Sequence, residues 1–155
     1  MINKLNISIF GLGYVGLPLA IKLSKYFNVI GFDKNKKRIK ELKSYFDRNN
    51  EVDSKQLKNS NLKYSLNLKD LKNTNIFIVT VPTPVTKFNK PDLKPLISAC
   101  NDISKIISKG AIVVFESTVY PGVTEEICGP QIKKNSNLIP GVEFFLGYSP
   151  ERMNP

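Results

Sequence analysis

The sequence predicts an α/β domain built around a doubly wound parallel sheet. Three observations carry this prediction. Short apolar segments alternate with amphipathic ones along the 155 residues, a glycine-rich turn follows the first apolar segment, and an aspartate ends the second. Strands that alternate with helices favour a parallel sheet covered on both faces. The length fits one domain, and neither a repeat nor a linker interrupts the pattern.

The first half of the chain supplies strands and helices in turn. Apolar residues recur at helical spacing after the glycine turn, at Val15, Leu19, Leu23 and Phe27. The next helix is amphipathic, with Ile39, Leu42 and Phe46 on one side. The predicted elements are a strand at 5–10, a helix at 14–27, a strand at 28–33, a helix at 36–46, a short helix within 50–61 and a strand at 62–66.

The second half continues the alternation. Pro-Asp at its start and glycine at its end delimit a helix over 91–110. A helix also starts at Val123, and Gly129-Pro130 limits or bends it. The predicted elements are a strand at 75–81, a helix at 91–110, a strand at 111–118, a helix at 123–134 and a strand at 142–149.

The composition limits the classes of partner. Hydrophobic residues make up 41% and charged residues 23%, as in a folded domain with a core. The formal net charge of +10 raises nucleic acid as a partner. However, the densest basic run, Lys34–Lys43, also fits one charged helix face without interleaved aromatic residues. We therefore expect an anionic small molecule and no nucleic acid.

Cysteine and histidine usage limits the chemistry. Cys100 and Cys128 suggest no disulfide framework, and we interpret both as buried small hydrophobes in a reducing cytoplasm. The chain has no histidine, which excludes a histidine base, and we expect no metal site. No apolar run could span a bilayer, and the one before Gly11 is too short for a signal peptide. We expect a cytoplasmic protein with no membrane partner.

The turn FGLGYVG contains Gly11, Gly13 and Gly16, the spacing G-x-G-x-x-G. The motif alone is weak, but here it follows a strand, opens a helix and leads to a strand that ends in Asp33. Gly11 would permit the tight turn, Gly13 the approach of a pyrophosphate, and Gly16 close packing of helix and strand. The helix start would then hold the anion. The alternative is a structural turn that binds nothing.

Asp33 lies 22 residues after Gly11 and could accept hydrogen bonds from a ribose diol. A 2′-phosphate would meet its charge, so the residue favours NAD over NADP. The basic residues that follow oppose this preference, because they could accept a phosphate; they are Lys34, Lys36, Lys37 and Arg38.

Three loops follow the later strands and would converge on the ligand-binding edge of the sheet. They span 82–92, 116–122 and 149–155. In the first, Thr83 offers a hydroxyl to a cofactor, although a plain proline turn is as good an interpretation. In the second, Thr118 either caps the local structure or orients water or substrate. In the third, Glu151 is a surface acid paired with Arg152, or a base with a raised pKa.

Four segments, in this order, resemble the UDP-glucose/GDP-mannose dehydrogenase family. They are GLGYVGLPLA (Gly11–Ala20), VPTPVTKFNKPDLKPL (Val81–Leu96), ESTVYPGVTEE (Glu116–Glu126) and GYSPERMNP (Gly147–Pro155). The resemblance covers nearly the whole chain, and the first loop and the ending are most similar to the branch that oxidises UDP-N-acetylhexosamines. It implies a Rossmann-like fold and residues 1–155 as an N-terminal NAD-binding domain, with UDP-sugar-binding domains further along a longer chain.

The resemblance also implies a reaction and its residues. Family members oxidise the sugar C6 alcohol to a carboxylate with two NAD⁺, through a cysteine-bound intermediate that water hydrolyses. Thr118 would hold that water and Glu151 would activate it. NAD would be bound by Gly11, Gly13, Tyr14, Val15, Gly16 and Asp33, with Arg38, Thr83 and Thr118 near it.

Two departures qualify the resemblance. UDP-glucose enzymes carry a second glutamate four positions after the first, where this chain has Pro155. Neither Cys100 nor Cys128 matches the family's nucleophile, which lies further along the chain in the family. The missing nucleophile keeps a non-catalytic dinucleotide-binding module as an alternative, and a UDP-glucose 6-dehydrogenase is a second alternative within the family. The expected partners are a UDP-sugar and, for the full-length chain, a second copy in a homodimer.

Overall fold

A computed structural model describes residues 5–87 and 90–150. Its centre is a six-stranded sheet in which every neighbouring pair is parallel. The strand order is β3-β2-β1-β4-β5-β6. The strands are β1 (Asn6–Phe10), β2 (Asn28–Phe32), β3 (Lys63–Ser65), β4 (Ile76–Val79), β5 (Ile112–Phe115) and β6 (Phe145–Tyr148).

Helices connect the strands. They are α1 (Gly16–Leu23), α2 (Lys36–Lys43), α3 (Ser54–Lys58), α4 (Lys94–Ser104) and α5 (Gly129–Ser136), together with a 3₁₀ turn at Leu68–Leu71 and a π-helical turn at Val123–Cys128. The Rossmann-like doubly wound fold is thereby confirmed. The strand order reverses between β1 and β4, and such a switch point is where open α/β sheets bind their ligands.

Alternate side chains of each strand enter two separate cores, as strand geometry requires. Along β1, Ile7 and Ile9 pack with α1, α2 and α3, whereas Phe10 packs on the opposite face with α4 and α5. Along β4, Phe77 and Val79 enter the α4–α5 core. Helices therefore cover both faces, which explains why the strands are almost continuously apolar.

The observed helices are shorter than the sequence predicts: α1 covers Gly16–Leu23 of the predicted 14–27, and α4 covers Lys94–Ser104 of the predicted 91–110. The helix predicted over 91–110 begins at Lys94, because Asp92 instead accepts the Lys94 amide and donates its own N–H to Pro84. The helix predicted over 36–46 ends at Lys43. Tyr45 has a φ of +59°, which turns the chain, so Phe46 is exposed rather than aligned with Ile39 and Leu42.

The Gly129-Pro130 pair changes the helix rather than ending it. Residues before it form the π-helical turn, and α5 begins at Gly129. Proline lacks an N–H and fits the first turn of an α-helix, where that donor has no partner.

Both cysteines are free and fully buried in the α4–α5 core, as interpreted from the sequence. A hydrogen bond with Cys128, together with burial, raises the pKa of the Cys100 thiol well above its usual range. Such a thiol is a poor nucleophile. Within residues 5–87 and 90–150, no helix is long and apolar enough to cross a membrane.

Candidate cofactor site

The glycine turn between β1 and α1 uses its three glycines in three different ways. Gly11 has a φ of +96° and donates its N–H to Phe32 O at 2.9 Å. A Cβ on Gly16 would overlap the Gly11 carbonyl oxygen and Thr80 Oγ1, so only glycine fits there. A Cβ on Gly13 would meet no atom within 4 Å. Gly13 therefore borders open space, as a ligand-facing position requires.

Thr80, which the sequence analysis did not select, fixes the turn from the end of β4. Its hydroxyl donates toward Gly11 O at 2.7 Å and lies 3.1 Å from Phe10 O. Thr80 is buried, and its hydroxyl occupies part of the space that a side chain at Gly16 would need. A threonine directly after an apolar strand is too common to have singled it out in the sequence.

Asp33 and Arg38 both form hydrogen bonds with the backbone of Leu12, inside the turn. The Leu12 N–H donates to Asp33 Oδ2 at 3.0 Å, and Arg38 Nε donates to Leu12 O at 2.8 Å. Asp33 Oδ1 also accepts the Asn35 N–H at 2.9 Å. Each carboxylate oxygen keeps lone pairs for a further donor, so Asp33 can still accept a ribose hydroxyl.

Arg38 lies behind the turn, only 5% exposed. Its Nη1 is 2.7 Å from Asp47 Oδ1, and neither side chain reaches solvent to any extent. Asp47 in turn accepts the N–H groups of Asn49, Glu51 and Val52. Burial, the largest influence, would raise the pKa of Asp47, but these hydrogen bonds and the charge of Arg38 together lower it. Nε and Nη1 of Arg38 are therefore engaged within the protein, and its Nη2 is buried without a hydrogen-bond partner among the described residues.

A slot of about 170 Å³ opens beside Asp33, between the sheet edge and α4. Its walls are mostly apolar, which suits a flat heterocycle, and Gly11 and Asp33 lie at its end. The apolar wall is formed by Phe10, Phe32, Val81, Pro82, Pro95 and Ala99. Lys34, Ser98 and Asp102 are its remaining polar residues, and the sequence analysis selected only the first of these.

The loops after β4 and β5 converge as predicted, whereas most of the predicted loop over 149–155 lies outside the described residues. Thr83 Oγ1 donates to Thr118 O at 2.9 Å, and Ser117 Oγ donates to Val81 O at 2.8 Å. The Ser149 N–H donates to Phe115 O at 3.0 Å. The structure thus brings Thr83 and Thr118 together at the carboxyl edge of the sheet. Glu151 lies outside the described residues.

Tyr14 and Val15 complete the turn before α1. Tyr14 is exposed at 60%, and Val15 occupies the N-cap of the helix. The Leu17 N–H donates back to Gly13 O at 3.2 Å, which starts the helical pattern. Amides before that point have no partner within the helix, and they carry the positive end of the helix dipole.

A larger cavity, of about 520 Å³, lies at the opposite edge, among the amino ends of the strands. Its polar side chains satisfy one another: the hydroxyls of Ser8 and Thr74 are 2.6 Å apart, and Asn28 Nδ2 donates to Asn6 Oδ1. Ligands of open parallel sheets bind at the carboxyl edge. We therefore assign the site to the edge that carries the glycine turn.

The fold and this edge define a dinucleotide-binding domain. Open space at Gly13, an aspartate with spare lone pairs and an apolar slot are the three parts that such a ligand needs. The chain belongs to the UDP-glucose/GDP-mannose dehydrogenase family, whose NAD binding domain matches residues 5–155. NAD is accordingly its cofactor.

Known proteins resemble the chain over nearly its whole length. It is 55% identical to "Protein CapL" of Staphylococcus aureus and 52% identical to UDP-N-acetyl-D-glucosamine 6-dehydrogenase of Pseudomonas aeruginosa, covering 97% and 99% of this chain. It spans only 35% and 36% of those relatives. The solved UDP-D-ManNAc dehydrogenase of Pyrococcus horikoshii superposes with a TM-score of 0.90 at 34% identity, over 97% of this chain and 37% of that one.

Proposed function

We propose that this chain is the NAD-binding domain of a longer nucleotide-sugar 6-dehydrogenase. The full protein oxidises the C6 alcohol of a UDP-N-acetylhexosamine to the uronic acid with two NAD⁺, for the synthesis of a surface polysaccharide. The observation that carries the proposal is the turn with open space at Gly13 beside Asp33. The 52% identity to a UDP-N-acetyl-D-glucosamine 6-dehydrogenase supports the N-acetylhexosamine over glucose.

The residues of this chain bind and orient the dinucleotide. The backbone amides at Gly13, Tyr14 and Val15 would hold the pyrophosphate at the start of α1. The Asp33 carboxylate accepts the ribose hydroxyls, and the apolar slot beside it holds the adenine. Arg38 acts behind the turn, because it fixes the carbonyl of Leu12. When bound, NAD⁺ supplies the acceptor for the hydride that the alcohol loses.

The loops after β4 and β5 serve the other half of the cofactor. Thr83 and Thr118 are joined by a hydrogen bond at the sheet edge, and they follow β4 and β5, which lie two and three strands away from β2 and Asp33. We assign both to the nicotinamide end. Thr118 also holds the hydrolytic water that Glu151 activates. The cysteine nucleophile and the residues that bind the sugar belong to parts of the protein beyond this domain.

We further propose a cytoplasmic homodimer for the full protein.

The UDP-sugar substrate and NAD are both anions, and the net charge of +10 on this chain favours their approach.

Two experiments test the proposal. Calorimetric titration of the chain with NAD⁺ should show one binding site, and Asp33→Ala should weaken it at least tenfold, since it removes the ribose acceptor. The open reading frame that encodes this chain should then be expressed in full and assayed with UDP-N-acetylhexosamines and UDP-glucose. Two NADH formed per UDP-N-acetylhexosamine consumed is the expected result. A preference for UDP-glucose would contradict the substrate assignment, and no NAD⁺ binding would contradict the cofactor site.

A further inference from the structure

Lys34 directly follows Asp33, but its ammonium is directed to helix α4. Lys34 Nζ donates to Ser98 Oγ at 2.6 Å and lies 2.6 Å from Asp102 Oδ2. Ser98 and Asp102 are four residues apart and therefore share one face of α4. Lys34 thus bridges from the end of β2 to α4, and all three residues line the apolar slot.

The position of Lys34 bears on the choice between NAD and NADP. The acidic residue after the second strand contacts the ribose 2′-hydroxyl in NAD enzymes, and a nearby cation receives the 2′-phosphate in NADP enzymes. Lys34 is adjacent to that acid, so it is the cation in the right place for a 2′-phosphate. Its ammonium instead lies against a carboxylate whose side chain is only 9% exposed.

The other basic residues of this region do not replace it. Arg38 is buried and paired with Asp47. Lys36 and Lys37 are exposed on the first turn of α2, where solvent screens their charge. Asp102 also faces a second lysine, because Lys105 Nζ lies 3.5 Å from its Oδ1. One carboxylate therefore faces two lysines, of which only Lys34 lines the slot.

We propose that Asp102 is a specificity-determining residue, which favours NAD over NADP because it holds the Lys34 ammonium against α4. The inference rests on the proposed cofactor site around Asp33. Asp33 repels the 2′-phosphate directly, and Asp102 holds back the lysine that follows Asp33 in the chain and could compensate for this repulsion. Two carboxylates on separate elements therefore enforce one choice of cofactor.

The test is calorimetric titration of the chain with NAD⁺ and with NADP⁺, in the wild type and in Asp102→Asn. The substitution keeps the shape of the side chain, and Lys34, which is 57% exposed, can turn to solvent, so the variant should fold. Thermal unfolding checks that it does. We expect the ratio of the NADP⁺ Kd to the NAD⁺ Kd to fall about tenfold, mainly through tighter NADP⁺ binding, as one added lysine–phosphate contact would give.

Two double variants separate the role of Lys34 from a general change in charge. Adding Lys34→Met to Asp102→Asn should restore the wild-type ratio, whereas adding Lys105→Met should leave the ratio low. Ser98→Ala alone, which removes the other acceptor of Lys34, should shift the ratio in the same direction by a smaller factor. The Kd ratio of Ser98→Ala therefore provides an independent test if Asp102→Asn folds poorly.

Three outcomes would overturn the inference. One is a ratio in Asp102→Asn and Ser98→Ala that equals the wild-type ratio. Another is a gain in NADP⁺ binding that Lys105→Met cancels as fully as Lys34→Met does. If the wild-type chain binds neither dinucleotide, the cofactor site itself is wrong and the inference falls with it. That result differs clearly from a chain that binds NAD⁺ with an unchanged ratio.

Discussion

The glycine turn after β1 and the loops after β4 and β5 lie at the same edge of the sheet but are held in different ways. Buried polar groups fix the turn from both sides: Thr80 from β4, and Arg38 with Asp47 from α2 and beyond. The two loops are joined at their exposed ends by the hydrogen bond from Thr83 to Thr118. The half of the site that we propose to bind adenosine and pyrophosphate is therefore held by buried polar groups, whereas the proposed nicotinamide half is joined at exposed ends.

This difference fits the proposed role of the chain as the cofactor-binding domain of a longer enzyme. A preformed turn binds the parts of NAD that do not react. The nicotinamide end must meet a substrate, so residues outside these loops complete the binding site there. Mutations in the two regions should consequently affect stability and binding to different degrees.

The largest expected effect is on the buried ion pair behind the turn. Asp47→Ala leaves the charge of Arg38 uncompensated and removes the acceptor of three backbone N–H groups. We expect a loss of about 3–5 kcal/mol in the free energy of unfolding, measured by urea denaturation. A loss below about 1 kcal/mol would show that this pair does not support the turn.

The next effect distinguishes two glycines of the same turn. Gly16→Ala places a methyl group against the Gly11 carbonyl and Thr80, so we expect a loss of about 3 kcal/mol in the free energy of unfolding. Gly13→Ala meets no atom, and its stability should stay within about 1 kcal/mol of the wild type. Urea denaturation of both variants checks this, and equal stabilities would contradict the different roles.

The acid limb of the stability curve should report on Asp47. Its folded pKa lies below the ordinary value, so its contribution is present above about pH 4 and is lost as the pH falls through the folded pKa. Compared with the wild type, Asp47→Ala should therefore lose less stability between about pH 5 and pH 2. Urea denaturation across this pH range measures the slope. Parallel slopes in the two proteins would argue against a depressed pKa.

The smallest effect concerns the loops. Thr83→Val removes the hydrogen bond to Thr118 O, which is worth about 1 kcal/mol or less in the free energy of unfolding. NAD⁺ binding should weaken by about fivefold, since one neutral hydrogen bond is lost at the site. Thr86→Val, in the same loop, is the matched control and should leave the NAD⁺ Kd unchanged. Equal effects of the two substitutions would place Thr83 away from the cofactor.

Much of the fold and part of the site follow from the sequence, for physical reasons. Apolar periodicity located all six strands, and the spacing of Gly11, Gly13, Gly16 and Asp33 located the turn. Partners distant in sequence could not be found in this way. Arg38 appeared as one of several cations that could accept a phosphate, because its pairing with Asp47 depends on how the chain folds back after α2.

The same limit applies to Thr80 and Asp102. Thr80 contacts Gly11, which is 69 positions away in the chain. Asp102 on α4 contacts Lys34, which follows β2, across the slot. Neither contact leaves a local signal, since a threonine after a strand and an aspartate in a helix are common. The backbone conformation at Tyr45 could not be predicted either. A positive φ in a residue other than glycine has no reliable sequence pattern.

The most direct test of the central claim is NAD⁺ titration of the wild-type chain beside Gly13→Ala. The claim is that the open space beside Gly13 serves ligand binding and does not affect stability. The account predicts that both proteins unfold at nearly the same urea concentration, while the variant loses NAD⁺ binding at least tenfold, because its methyl group occupies the place of the pyrophosphate. Unchanged NAD⁺ affinity in a stably folded Gly13→Ala would contradict it.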